Sequence, residues 1–166
     1  PNNIRLKPEL AGGSLLDVGC YPVYGIRWAL GTEPVKAYAT ATYHNGVDIE
    51  MNGILWFPDG RMATFDCGFT HPFRRWLEIT GTEAVVWIPE LWIPLPRATY
   101  YVYREGKPVE EVAIESEGQI QHLIENFSRN VLENQPVTPA PEEAVKTLRA
   151  LDALAKSARD GRVVPV

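Results

Sequence analysis

The sequence predicts an α+β fold: an open, predominantly antiparallel β-sheet with helices packed on one face. Two observations carry that expectation. The apolar residues recur at helical spacing near both ends of the chain and at every second residue from Pro34 to about Ser116. Within that middle stretch, Pro58-Asp59-Gly60 and Glu105-Gly106-Lys107 are hairpin turn signals, so consecutive strands should run antiparallel. Helix, then strands, then helices is the order in which helices gather on one side of an antiparallel sheet.

The elements follow in order. Pro1 to Leu10 is polar, bounded by prolines and reads as irregular. From Ser14 to Leu30, Leu16, Gly19, Val23, Ile26 and Leu30 form a helical stripe that Gly31 ends. Pro22 lacks a backbone donor and disfavours helical geometry at Tyr21, which predicts a local kink or break. Val35, Ala37, Ala39, Ala41 and Tyr43 alternate with polar neighbours as a half-buried strand. Further strands are predicted near 49–57, 61–70, 75–80, 84–88, 99–104 and 109–114, with proline-rich 89–96 as a loop. Ile120, Leu123, Ile124, Phe127 and Val131 then make one apolar helical stripe. Thr138 can cap a last helix with Pro139 in its first turn and Ala144, Leu148, Leu151 and Ala155 along its face. Gly161 stops it, leaving 162–166 as a short edge strand.

Bulk properties narrow the function. A length of 166 residues is that of one ordinary domain, and 45% hydrophobic with 22% charged residues is globular rather than disordered. The net charge is −5 with Lys and Arg scattered, which offers no surface for nucleic acid or an anionic membrane. No apolar run is long enough to span a bilayer, and residues 1–10 lack the pattern of a secretion signal. Cys20 and Cys67 have neither CxxC spacing nor neighbouring histidines; the expectation is no metal site, no disulfide and a reducing, cytoplasmic setting.

The stretch Gly12-Gly13-Ser14-Leu15-Leu16-Asp17-Val18-Gly19-Cys20-Tyr21-Pro22-Val23 is the informative one. Asp17 and Tyr21 are four apart, neighbours on one helix face, and Tyr24 and Trp28 continue that face. A carboxylate and a phenol on an aromatic surface suit hydrogen bonding to a polyhydroxylated substrate, and the phenol can act as a general acid or base. By spacing alone the better fit is an Asp facing the helix dipole and a Tyr packed at the surface. Arg5 is placed to reach a substrate or a cofactor phosphate, or to be an ordinary surface arginine. Gly12-Gly13 lacks the rest of a dinucleotide fingerprint. His44, His71 and His122 share no ligand spacing, and Ser14 and Ser157 have no nucleophile-elbow context.

Residues 12–23 resemble the segment that opens a helix in the C-terminal domain of the glucose–fructose oxidoreductase/inositol dehydrogenase (Gfo/Idh/MocA) superfamily. Gly31-Thr32-Glu33-Pro34, Leu55-Trp56-Phe57-Pro58-Asp59-Gly60, Ala63 to Phe69, Leu77 to Glu83 and Ser157 to Val163 follow in family order, so the resemblance covers nearly the whole chain. Tyr21, where many relatives carry His, resembles the branch with dihydrodiol dehydrogenase, NADP-dependent xylose dehydrogenase and glucose–fructose oxidoreductase.

The resemblance implies a dihydrodipicolinate-reductase-like C-terminal domain spanning 1–166, without its first strand. It implies the substrate side of a dehydrogenase that passes hydride between NAD or NADP and a sugar, polyol or cyclic diol. Tyr21 and Asp17 would be catalytic and touch substrate; Tyr24, by its place on the same helix face, and Arg5, just upstream of Gly12-Gly13, are the further candidates for substrate contact. The Rossmann unit and its Glu-Lys-Pro lysine have no counterpart here: Leu6-Lys7-Pro8 and Gly106-Lys107-Pro108 lack the strand-end context, and Ala84 stands where the family usually has glycine. The expected partners are that Rossmann domain, a small sugar or polyol and a second copy through the sheet; the chain alone should bind no cofactor and turn nothing over. The competing reading is a non-catalytic dimerisation or carbohydrate-binding module, and an aldose–aldose oxidoreductase with a permanently bound cofactor is a variant of the first.

Overall fold

The computed structural model describes residues 3–94, 96–115 and 118–166. Pro1, Asn2, Leu95, Ser116 and Glu117 lie outside the described residues, and with them the start of the expected irregular segment, part of the 89–96 loop and the end of the strand region. The chain forms two compact units, residues 1–72 with 142–166, and residues 73–141.

In the first unit, β1 (Lys36–His44), β2 (Val47–Trp56), β3 (Met62–Gly68) and β8 (Val164–Pro165) make an antiparallel sheet in the order β3-β2-β1-β8. The expected edge strand is therefore present at the C-terminus. Asn45-Gly46, with φ of 50° and 84°, turns β1 into β2; this hairpin signal adds to the two predicted ones. Cross-strand rows Ala37–Leu55–Ala63, Ala39–Gly53–Phe65 and Ala41–Met51–Cys67 form the inner face, small residues opposite large ones. Gly53 is required there: a Cβ would stand 2.3 Å from the Phe65 ring and 3.0 Å from Leu154. A register shift between Thr42 and Tyr43 ends the alternation, so Tyr43 is exposed although the two-residue period placed it inward.

α1 (Cys20–Leu30) and α3 (Glu142–Asp160) close the inner face. The core gathers Leu15, Val23 and Ile26 with Met51, Leu55, Phe65, Leu151 and Leu154. Three details correct the sequence reading. Leu15, not Leu16, is the buried residue, because 15–19 form a π-helical turn whose wider winding shifts the helix phase. The irregularity expected at Pro22 lies one turn earlier, in residues 15–19, while α1 runs unbroken through Tyr21 and Pro22: the ring crowds the carbonyl of the preceding turn, and widening that turn relieves it. α3 starts at Glu142, not after a Thr138 cap, since Ala140 precedes Pro141 and is held away from helical geometry.

The buried face of α3 also differs from the predicted one. Thr147, Ala150, Leu151, Leu154 and Ser157 are buried, while Leu148 is half-exposed. Both polar members are satisfied. Ser157 Oγ accepts from Ala39 N at 3.0 Å and donates to Arg162 O at 2.6 Å, stitching α3 to β1 and to its own C-terminus.

In the second unit, β4 (Leu77–Thr80), β5 (Val85–Ile88), β6 (Arg97–Tyr103) and β7 (Glu110–Glu115) form a second antiparallel sheet in sequential order. The strands read as one sheet thus divide into two, because residues 69–76 with Pro72 run irregularly after β3 and β4 pairs only with β5. Trp87 and Tyr101 stack across β5 and β6 at 5.5 Å between ring centroids. α2 (Gln119–Leu132) has the predicted stripe, and none of its residues is buried.

Candidate active site on the first helix

The site is built by a tight fold-back of residues 5–13. Two 3₁₀ turns, Ile4–Leu6 and Pro8–Leu10, replace the expected irregular run. Gly12 N then donates to Lys7 O at 3.0 Å and Gly13 N to Arg5 O at 2.9 Å. A Cβ on Gly12 would lie 2.6 Å from the Arg5 carbonyl, and one on Gly13, at φ +127°, 2.3 Å from Asp48 Oδ1. The glycine pair is there so that the chain can close on itself.

The result is an ion pair: Arg5 Nε to Asp17 Oδ2 at 2.7 Å. Two residues singled out separately in the sequence are therefore brought together. The Arg5 side chain is about half-exposed and that of Asp17 about one-third. Such a pair contributes about 0–1 kcal/mol to folding, so its worth to stability does not account for the construction around it.

Asp17 sits inside the π-helical turn, a feature often found at functional positions. Asp48 on β2 anchors this turn. Its Oδ2 accepts from Ser14 Oγ at 2.6 Å and from Leu15 N at 2.7 Å, satisfying a helix-start donor from across the sheet. Sequence reasoning missed Asp48. Its only signal is an acidic residue directly after the buried Val47 at the start of a strand.

Tyr21, Tyr24 and Trp28 are exposed along α1, at the spacing that continues from Asp17. The opposite face of α1 is held by Arg27, which is almost fully buried. Its Nε and Nη2 donate to Glu33 at 2.6 and 2.7 Å, Nη2 also reaches Glu143 at 2.9 Å, and Nη1 donates to Thr147 Oγ1 at 2.7 Å. The Glu33 carboxylate, ahead of the opposing cost of burial, keeps this guanidinium charged. A buried cation was not legible from periodicity. It gives α1 a fixed seat against α3 and so fixes where the exposed stripe lies.

Neither cysteine of this unit is primed as a nucleophile. Burial pushes the Cys67 thiol up to about 12 and raises that of Cys20, so both are thiols rather than thiolates at neutral pH. Both are free cysteines. No cluster of metal-ligating side chains occurs among the described residues. His71 has an acidic neighbour that the sequence did not disclose, Glu50 of β2, at 3.7 Å.

The family model described as the GFO/IDH/MocA C-terminal domain matches residues 1–87. This chain belongs to that family. The expectation drawn from residues 12–23 and the motifs after them is thereby met. D-xylose 1-dehydrogenase (NADP(+)) 2 of Haloferax volcanii is 31% identical over 98% of this chain and 51% of its own length. A trans-1,2-dihydrobenzene-1,2-diol dehydrogenase of Mus musculus is 33% identical over 51% of this chain and 26% of its own length. The crystal structure of aldose-aldose oxidoreductase from Caulobacter crescentus, complexed with glycerol, superposes on all of this chain and 51% of its own with a TM-score of 0.89 at 24% identity, a likeness of fold. The chain spans about half the length of the first of these relatives. Among the described residues, no helix is long and apolar enough to cross a membrane.

Proposed function

We propose that this GFO/IDH/MocA domain is the substrate side of an NAD(P)-dependent oxidoreductase acting on a CH–OH group of a sugar, polyol or cyclic diol. The single observation that carries the reading is the Arg5–Asp17 ion pair at the start of a helix that exposes Tyr21 and Tyr24, with Asp48 anchoring the start of that helix and Arg27 its far end. Tyr21 is the proton-handling group for the substrate hydroxyl. Asp17 and Arg5 hold and orient neighbouring hydroxyls, and Tyr24 lines the same surface. The rest of the alignment of reactants is left to groups outside this chain.

The dinucleotide does not fit these residues. The space beside Gly12 and Gly13 is filled by the chain's own carbonyls and by Asp48, leaving no phosphate cradle. Cofactor binding therefore falls to an upstream Rossmann half, and residues 1–166 make the single C-terminal domain of that protein. On the outer face of the first sheet, Tyr38, Ile54 and Trp56 are half-buried and Met62 is exposed, which favours a homodimer through this face. The setting is cytoplasmic, in keeping with two free cysteines.

The test is Tyr21→Phe in the full-length protein, assayed with NAD and NADP against aldoses, polyols and a trans-dihydrodiol. Loss of the hydroxyl alone should lower kcat by about 10²-fold or more on whichever substrate is turned over. Unchanged kcat and KM would reduce Tyr21 to a surface residue. Saturable turnover by the 166-residue chain alone would overturn the division of labour between the two halves.

A further inference from the structure

On the functional reading above, we propose that Asp48 is the positioning residue of this site: it fixes where Asp17 and Arg5 stand and acts on the substrate only through them. Gly13 is the junction. Its N–H donates to the Arg5 carbonyl at 2.9 Å, and its carbonyl accepts from Asp17 N at 3.2 Å. Both members of the ion pair therefore hang from one backbone unit. Asp48 Oδ1 packs so closely against that unit that a Cβ on Gly13 finds no room. Its Oδ2 takes the next two donors, Ser14 Oγ at 2.6 Å and Leu15 N at 2.7 Å. Gly13, Ser14 and Leu15 are thus fixed to β2 by one carboxylate.

The competing role for Asp48 is stability alone, as a helix cap. Ser14 argues against it. A serine just before a helical turn normally caps its own helix, yet this side chain makes no such bond. Its fully buried hydroxyl is given to Asp48 instead. A local cap is enough to stabilise a turn, whereas a cap brought from a strand also fixes the place of that turn on the sheet. The ion pair cannot do this for itself, because an exposed pair is too weak to hold a long arginine side chain in one position.

A double-mutant cycle in the full-length protein separates the two roles. Asp48→Ala is made alone and together with Asp17→Asn, and kcat/KM is measured on whichever aldose, polyol or trans-dihydrodiol the wild type turns over. Alone, Asp48→Ala should lower kcat/KM by about 10-fold or more, the scale of a small displacement of orienting groups. Combined with Asp17→Asn, it should lower kcat/KM by less than about 2-fold further, because the group it positions is already disabled. A residue serving stability alone gives equal losses in the two backgrounds, or none, and either result overturns the proposal. Where Asp48→Ala does not fold, Asp48→Asn is put through the same cycle with the same expectation. A wild type that turns over none of these substrates sinks the functional reading instead, and NMR then decides for Asp48. The Arg5 Nε–H proton should exchange with water about 10-fold faster in the Asp48 variant, as in Asp17→Asn; an unchanged rate overturns the positioning role.

Discussion

α2 and α3 carry apolar residues at the same helical period, yet they meet opposite fates. α3 buries Leu151 and Leu154 against the first sheet and takes two polar residues, Thr147 and Ser157, into its buried face. α2 has the cleaner apolar stripe and buries none of it. The contrast teaches that periodicity announces a face without naming what covers it. The cover depends on segments far along the chain. For α3 these are β1 and the Arg27 guanidinium; within its own unit the stripe of α2 has no such cover.

The largest expected effect sharpens this contrast. Leu154→Ala removes a fully buried side chain and should cost the chain about 3 kcal/mol. Denaturant titration of purified protein would read it as a shift in midpoint at constant slope.

Next comes the buried cation between the helices. Arg27→Met should cost about 2 kcal/mol, the scale of hydrogen bonds to charged groups, since Glu33 and Glu143 can still find water. The same cluster predicts a pH dependence. Lys146 first, and Arg27 after it, hold the Glu143 carboxyl below its ordinary value. A carboxyl depressed on folding adds stability above its unfolded value, and that stability is lost as pH falls through the depressed one. Thermal midpoints followed into acid should decline less steeply for Glu143→Gln than for wild type; parallel curves would remove Glu143 from the account.

Asp48→Asn is expected to cost about 1 kcal/mol, as for loss of a helix cap. Its effect should be local, with faster amide exchange at Leu15 and Asp17 and none at α2. Exchange changed evenly through the first unit would make Asp48 a general packing residue.

The smallest effect is the other side of the comparison. Leu123→Ala on the exposed face of α2 should leave the stability of the 166-residue chain within about 0.5 kcal/mol of wild type. A loss near that of Leu154→Ala would show that α2 is covered within this chain.

Much of the fold and some of the site were legible in advance. Every predicted strand and helix exists, because an alternating or helical apolar pattern is a local property of ten or so residues. Asp17, Tyr21 and Tyr24 could be grouped by spacing alone. Arg5, twelve residues before Asp17, could not be paired with it from the sequence, because the closure depends on two 3₁₀ turns and on the room that Gly12 leaves for two carbonyls. The π-helical turn was visible only as a proline conflict, and the choice of Leu15 over Leu16 followed from the widened winding.

By itself, then, the sequence determined the α+β class, the hairpin order, the family and the residue types on the first helix. These depend on periodicity, turn chemistry and a motif read within short windows. Tertiary structure alone decided the division into two sheets, the Arg5–Asp17 pair, Asp48 as anchor of the helix start, and Arg27 as a buried charge. Each of these joins residues distant in sequence. Such contacts are set by which surfaces meet and which polar groups find partners once the chain has collapsed, and no local pattern encodes that choice.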